Sequence, residues 1–158
     1  MRTKTVRRVV RLVVFAAVGI TLYAFATTHE LLRIPTDDTS LDPDFPAGSR
    51  VVLRYVDEDS PIERDTPVLY LAERDGQTVA HFARIAALPG DTVESKDGVL
   101  YVNGESRFVR GKAPGPVPEG HVFLLIPNPL EKRHADSRKL GFIKRSAIKA
   151  IVLARMFG

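Results

Sequence analysis

Seventeen consecutive residues without a charged side chain, Leu12 to Thr28, constrain this chain more than any other feature, because they follow directly on a basic cluster: Arg2, Lys4, Arg7, Arg8 and Arg11. A helix of that length spans about 26 Å, near the lower limit for crossing the hydrocarbon core of a bilayer. Val9 and Val10 lengthen it if Arg11 snorkels to the interface. Acidic residues follow the segment (Glu30, Asp37, Asp38, Asp42 and Asp44), so the positive-inside rule puts the N-terminus in the cytoplasm and the rest of the chain outside the cell membrane. Two other readings compete. Ala24-Phe25-Ala26 fits a signal-peptide cleavage site after an apolar core. A buried helix of a soluble domain is the other, and the basic cluster hard against its start argues against it. Residues 1–28 are therefore expected to be a basic tail and a single-pass membrane anchor.

The charge balance changes once that tail is set aside. The net charge of the 158-residue chain is +4, with 23 basic and 19 acidic residues, and five of the basic ones lie in the first eleven positions. The remainder is close to neutral, so no folded basic face is available to neutralise nucleic-acid phosphates. There is no Cys, which excludes disulfides, thiolate metal sites and a Cys nucleophile. Nothing resembles a glycine-rich phosphate loop, and the four His and the acids show no metal-ligand spacing. Neither a metal nor another cofactor is expected.

Residues 29–49 read as a connector, interrupted by Pro35, Pro43, Pro46 and Gly48. From residue 50 to the end the pattern is of short β segments: 51–56, 67–72, 78–87, 91–94, 99–102, 121–126 and a last apolar run at 147–156, which reads as a strand or a short helix. In the stretch His81 to Asp91, apolar alternation predicts a strand with one buried face, ended by the Pro89-Gly90 turn. Asp97-Gly98 predicts a hairpin and Asn103-Gly104 a second turn. Residues 111–120 form a loop by composition, and 127–140 are polar and irregular. The expected fold is mainly β, as folded antiparallel sheets behind one N-terminal helix.

Three stretches carry a pattern when taken in order. The first is Ser40-Leu41-Asp42-Pro43 with Gly48-Ser49-Arg50-Val51. The second is Ala83-Arg84 leading into Leu88-Pro89-Gly90-Asp91, with Leu100-Tyr101-Val102-Asn103-Gly104 beyond it. The third is Asp136-Ser137-Arg138, closed by Gly141. After an N-terminal anchor, this series resembles the type I signal peptidase (leader peptidase) family of serine–lysine membrane endopeptidases, over roughly residues 32–155. The resemblance implies a β-rich catalytic domain on the outer membrane surface that cleaves signal peptides after small residues, and it places the nucleophile on Ser40.

The same resemblance puts the family's general-base lysine on Ala83, which cannot move a proton. Its helper serine falls on Asp38, where a carboxylate would repel a developing oxyanion, and a supporting serine falls on His134. Two candidates remain as surrogate bases: His81, on the same strand face as residue 83, and His134, beside Lys132 and Arg133 in a polar loop. Two functions follow: a working serine endopeptidase with a relocated base, or a catalytically inactive relative that binds a peptide or a partner. Arg84, Asp136 and Arg138 read as structural: the resemblance puts Arg84 and Asp136 on family positions that pair across the fold, so it implies an Arg84–Asp136 salt bridge with Arg138 nearby, and an arginine in an apolar strand requires a partner if buried.

Overall fold

The structure, a computed structural model, describes residues 2–74, 76–112, 114–131 and 134–156. It forms two compact units, Met1–Glu30 and Leu31–Gly158. In the first, helix α1 (Arg2–Thr28) continues back through the basic residues. Its apolar side chains are exposed around the helix, and Val6–Thr28 is long and apolar enough to cross a membrane.

The rest of the chain is β1 (His29–Arg33), β2 (Arg50–Tyr55), β3 (Pro67–Arg74), β4 (Gln77–Ala87), β5 (Thr92–Lys96), β6 (Val99–Val102), β7 (Glu105–Arg110), β8 (Gly115–Pro116), β9 (His121–Leu125), a helical turn α2 (Ser137–Leu140), β10 (Ile143–Lys144) and β11 (Ile148–Met156). A seven-stranded sheet has the order β1-β2-β11-β3-β4-β9-β10, and a four-stranded sheet the order β7-β6-β5-β8. From β2 to β10 in the large sheet, and throughout the small one, neighbours pair antiparallel. The last apolar run is a strand. The opening of the connector is a strand as well, as are the short β7, β8 and β10. These pieces carry little alternation; β1 alone reads as His-Glu-Leu-Leu-Arg.

Strand β4 departs from the expected single buried face. His81, Phe82 and Ala83 are buried in succession, and so are Ile85, Ala86 and Ala87. The strand is central and packed on both sides. Ala83 and Ile85 join Val68, Tyr70, Leu124 and Ile148 in one cluster. Ala86 and Ala87 pack with Val93, Leu100, Val102 and Phe123, which bring in the small sheet. Phe82 packs with Val51, Leu53 and Val152, and with Ile34 and Leu41 from the connector. That last cluster draws the proline-rich connector down onto the sheet, and it buries Ser40 completely.

Two motifs turn out to be joints. Asp91 Oδ2 accepts from the Leu88 N–H (2.8 Å) and Oδ1 from Asn103 Nδ2 (2.7 Å), while the Thr92 N–H donates to Asn103 Oδ1 (2.9 Å). The Leu-Pro-Gly-Asp turn and the Asn-Gly turn are thus one bracket, with Asn103 and Gly104 at φ 51° and 84°. Asp136 caps α2 by accepting from the Arg138 N–H, and its Oδ2 accepts from the Ile126 N–H (2.9 Å). Ser137 Oγ accepts from the Leu124 N–H (2.8 Å). The Asp-Ser-Arg box therefore takes over backbone donors along and just beyond β9.

The expected Arg84–Asp136 salt bridge does not form. Arg84 pairs with Asp44 and donates to the Asp65 carbonyl (2.6 Å), while Asp136 takes Arg138 (Nη2 to Oδ2, 2.7 Å). The guanidinium two residues along the chain reaches the buried carboxylate first. Replacing Asp136 strands buried backbone donors and a half-buried guanidinium, so Asp136→Ala is expected to lower unfolding free energy by about 3 kcal/mol. Asp44→Ala, at an exposed carboxylate, is expected to cost less than about 1 kcal/mol. Chemical denaturation of both variants checks the contrast.

Candidate active site

The connector between β1 and β2, buried at Ile34, Asp38, Ser40 and Leu41, turns tightly at its centre. The Asp38 N–H donates to the Pro35 carbonyl (3.1 Å) and the Asp42 N–H to the Thr39 carbonyl (3.2 Å). On this turn Asp38 Oδ1 accepts from the Ser40 N–H (2.9 Å), a short-range bond that Asp side chains make readily. The loop after β9 is tied against the turn. Glu131 Oε2 accepts from the Thr39 N–H (3.3 Å) and from Thr39 Oγ1 (2.7 Å), and Asn128 Nδ2 donates to the Thr39 carbonyl (3.0 Å).

This docking brings His134 to Ser40. The Ser40 hydroxyl lies 3.0 Å from His134 Nδ1, within hydrogen-bond reach of a serine–base pair. The same nitrogen is 3.5 Å from Asp38 Oδ1 and 3.7 Å from Glu131 Oε1. Both carboxylates are buried, whereas the His134 side chain is 18 % exposed. His134 and Glu131 line a cavity of about 260 Å³ whose other walls include Arg110, Arg138 and Lys139.

His81, the other candidate base, stands behind His134. It is 1 % exposed, with its ring 5.2 Å from the His134 ring at 75° and 5.5 Å from the Tyr70 ring. Tyr70 is its cross-strand partner in the β3–β4 register. The Tyr70 hydroxyl donates to the carbonyl of Ala135, the residue after His134, and so fastens the loop that carries His134 to the sheet. Burial, together with the Asp136 and Asp38 carboxylates, pushes the Tyr70 hydroxyl well above its ordinary range. It stays a donor.

Of the residues singled out by the sequence, Ser40 and His134 meet, His81 packs against His134, and Asp136 and Arg138 pair with each other. Arg84 bonds elsewhere. Lys132 and Arg133 lie outside the described residues. Thr39, Asn128, Glu131 and Tyr70 gave no sequence signal. Their roles depend on a loop docking onto a turn about ninety positions earlier in the chain. The expectation of no metal-ligand spacing misses one grouping for the same reason: Asp38, Glu131 and His134 place one ligand atom each within 4.8 Å of one another.

The family model described as signal peptidase, peptidase S26, matches residues 6–107. The chain belongs to that family. It is 33 % identical over 135 residues to a signal peptidase I of Bacillus licheniformis, covering 71 % of this chain and 69 % of that one. A crystal structure of a signal peptidase I from Enterococcus faecalis V583 is similar over 60 % of this chain and 98 % of that chain, with 29 % sequence identity and a TM-score of 0.44. The resemblance in sequence places the family's lysine base at residue 83 of this chain. Ala83 is wholly buried in the core cluster, and an imidazole from the loop at residue 134 occupies hydrogen-bond range of Ser40 instead.

The raised Tyr70 carries a stability consequence. Between the ordinary tyrosine range near pH 10 and its raised folded value, the unfolded chain loses a proton that the folded chain keeps. Stability contributed by this group is complete below about pH 10 and falls above it, by at most about 1.4 kcal/mol per pH unit. Denaturation measured from pH 8 to 11 is expected to show that fall, and Tyr70→Phe is expected to flatten it.

Proposed function

We propose that this chain is a membrane-anchored serine endopeptidase acting on signal peptides of exported proteins, with Ser40 as nucleophile and His134 as general base. The observation that carries this reading is the 3.0 Å contact between Ser40 Oγ and His134 Nδ1. Family membership supports a peptide substrate. The apolar helix after a basic cluster supports a single-pass anchor with its N-terminus in the cytoplasm.

Chemically, Nδ1 accepts the Ser40 proton as Oγ attacks the scissile carbonyl carbon. The imidazolium then returns that proton to the leaving amine as the C–N bond breaks. Water, activated by the same imidazole, hydrolyses the acyl-enzyme. The two carboxylates at 3.5 and 3.7 Å stabilise the imidazolium at the moment it forms. Asp38 has a second part. Its Oδ1 holds the Ser40 N–H, a donor suited to the oxyanion. Once Nδ1 is protonated, that oxygen is drawn towards the imidazolium, which releases the N–H for the tetrahedral intermediate.

A second reading, a catalytically inactive peptide- or partner-binding relative, is favoured by one observation. Ser40 is fully buried at rest, and its N–H is occupied by a carboxylate. The two readings part on a cleavage assay with a signal-peptide substrate ending in Ala-x-Ala. The endopeptidase reading expects turnover by the wild type, none by Ser40→Ala, and a kcat at least about 100-fold lower in His134→Gln, as loss of a general base costs. His81→Gln is expected to lower kcat by less. Cleavage that survives Ser40→Ala, or no cleavage by the wild type, rejects it.

A further inference from the structure

Around His134 the molecule holds a second constellation that peptide hydrolysis does not use as such. Asp38, Glu131 and His134 each present one ligand atom, all within 4.8 Å of one another. Nδ1 stands 3.5 Å from Asp38 Oδ1 and 3.7 Å from Glu131 Oε1. Metal–ligand distances of about 2.1 Å in a tetrahedral site imply ligand–ligand separations of about 3.4 Å. These two separations fall within a few tenths of an ångström of that value, and the third lies within 4.8 Å.

The ligands are also oriented from behind. Thr39 holds Glu131 through Oε2 with two hydrogen bonds, and Oε1 lies 3.7 Å from Nδ1. The Ser40 N–H fixes Asp38 through Oδ1. Support of this kind, by groups that do not themselves touch the ion, is what metal sites use to hold carboxylates in place. The cavity lined by Glu131 and His134 gives the ion a way in, and one imidazole with two carboxylates suits zinc and its neighbours among the divalent metals.

We propose that Asp38, Glu131 and His134 bind a divalent cation of the zinc class, and that the bound cation silences the Ser40–His134 pair. One lone pair on Nδ1 cannot hold a metal and take a proton from Ser40 at once, so occupancy and general-base action exclude each other. The silencing half rests on the endopeptidase reading; the binding half does not.

The test uses the full chain in detergent micelles, without a polyhistidine tag, titrated with Zn²⁺ by calorimetry and with Co²⁺ followed by its visible absorption. The expected result is one ion per chain with the spectrum of a four-coordinate site. Affinity is expected to fall at least about tenfold in each of Asp38→Asn, Glu131→Gln and His134→Gln, and to be kept in Ser40→Ala. Circular dichroism identifies any variant that fails to fold, and the remaining ones decide. No binding by the wild type overturns the proposal, as does binding that the three substitutions leave unchanged. In the cleavage assay, Zn²⁺ is expected to abolish turnover at the concentration that fills the site, and EDTA to restore it. Binding without inhibition overturns the silencing half. If the wild type never cleaves, the endopeptidase reading fails and the titrations alone judge the metal site.

Discussion

Three hydrogen bonds on Thr39 hold the active region together. They reach Glu131 and Asn128, 92 and 89 positions further along the chain. Without them the connector would still lie on the sheet, since Ile34 and Leu41 bury themselves there, and β9 would still end at Leu125. What would be lost is the alignment of two irregular segments, one carrying a hydroxyl and the other an imidazole. Neither segment has regular structure to fix it, so their mutual placement rests on side-chain and backbone polar bonds, with Tyr70 anchoring the second segment from the sheet.

That arrangement differs in kind from a base mounted on a strand. A lysine at residue 83 would be placed by the ladder of β4 and kept uncharged by its burial. Here the ladder position holds Ala83, a small side chain packed into the core, and the neighbouring His81 is enclosed by Tyr70 and the second imidazole. The imidazole at residue 134 instead has carboxylates on either side and a partly open face. An imidazole can act as a base near neutrality without desolvation, so a base at residue 134 would place no such demand on the core.

Much of the framework was legible in the residues alone. Alternation marked β2, β3, β4 and β9, and Asp97-Gly98 and Asn103-Gly104 marked their turns, because positive φ is inexpensive only for a few residue types. Strands of two residues, and the polar-rich β1 and β7, carried too little pattern to register. The depth of β4 was underestimated, since its second face is covered by elements distant in sequence. At the site, Ser40 and His134 were both named, but nothing in spacing could rank His134 above His81. Strand parity pointed to His81, whereas loop docking brings His134 Nδ1 to 3.0 Å from the Ser40 hydroxyl. The pairing of Arg84 failed for a related reason: Asp136 had a guanidinium two residues away, and local geometry outcompeted the long-range partner.

The Asp-Ser-Arg box has a consequence beyond its cap on α2. Beside β10, which covers only two residues, the donors of Leu124 and Ile126 are already engaged by Ser137 and Asp136 side chains. An extended chain arriving at this flank of the large sheet finds those donors taken and a helical turn in the way. The flank is thereby closed to edge-to-edge pairing, whether by a second copy or by a partly unfolded neighbour. A short polar motif thus shields the border of the sheet with side chains and one helical turn.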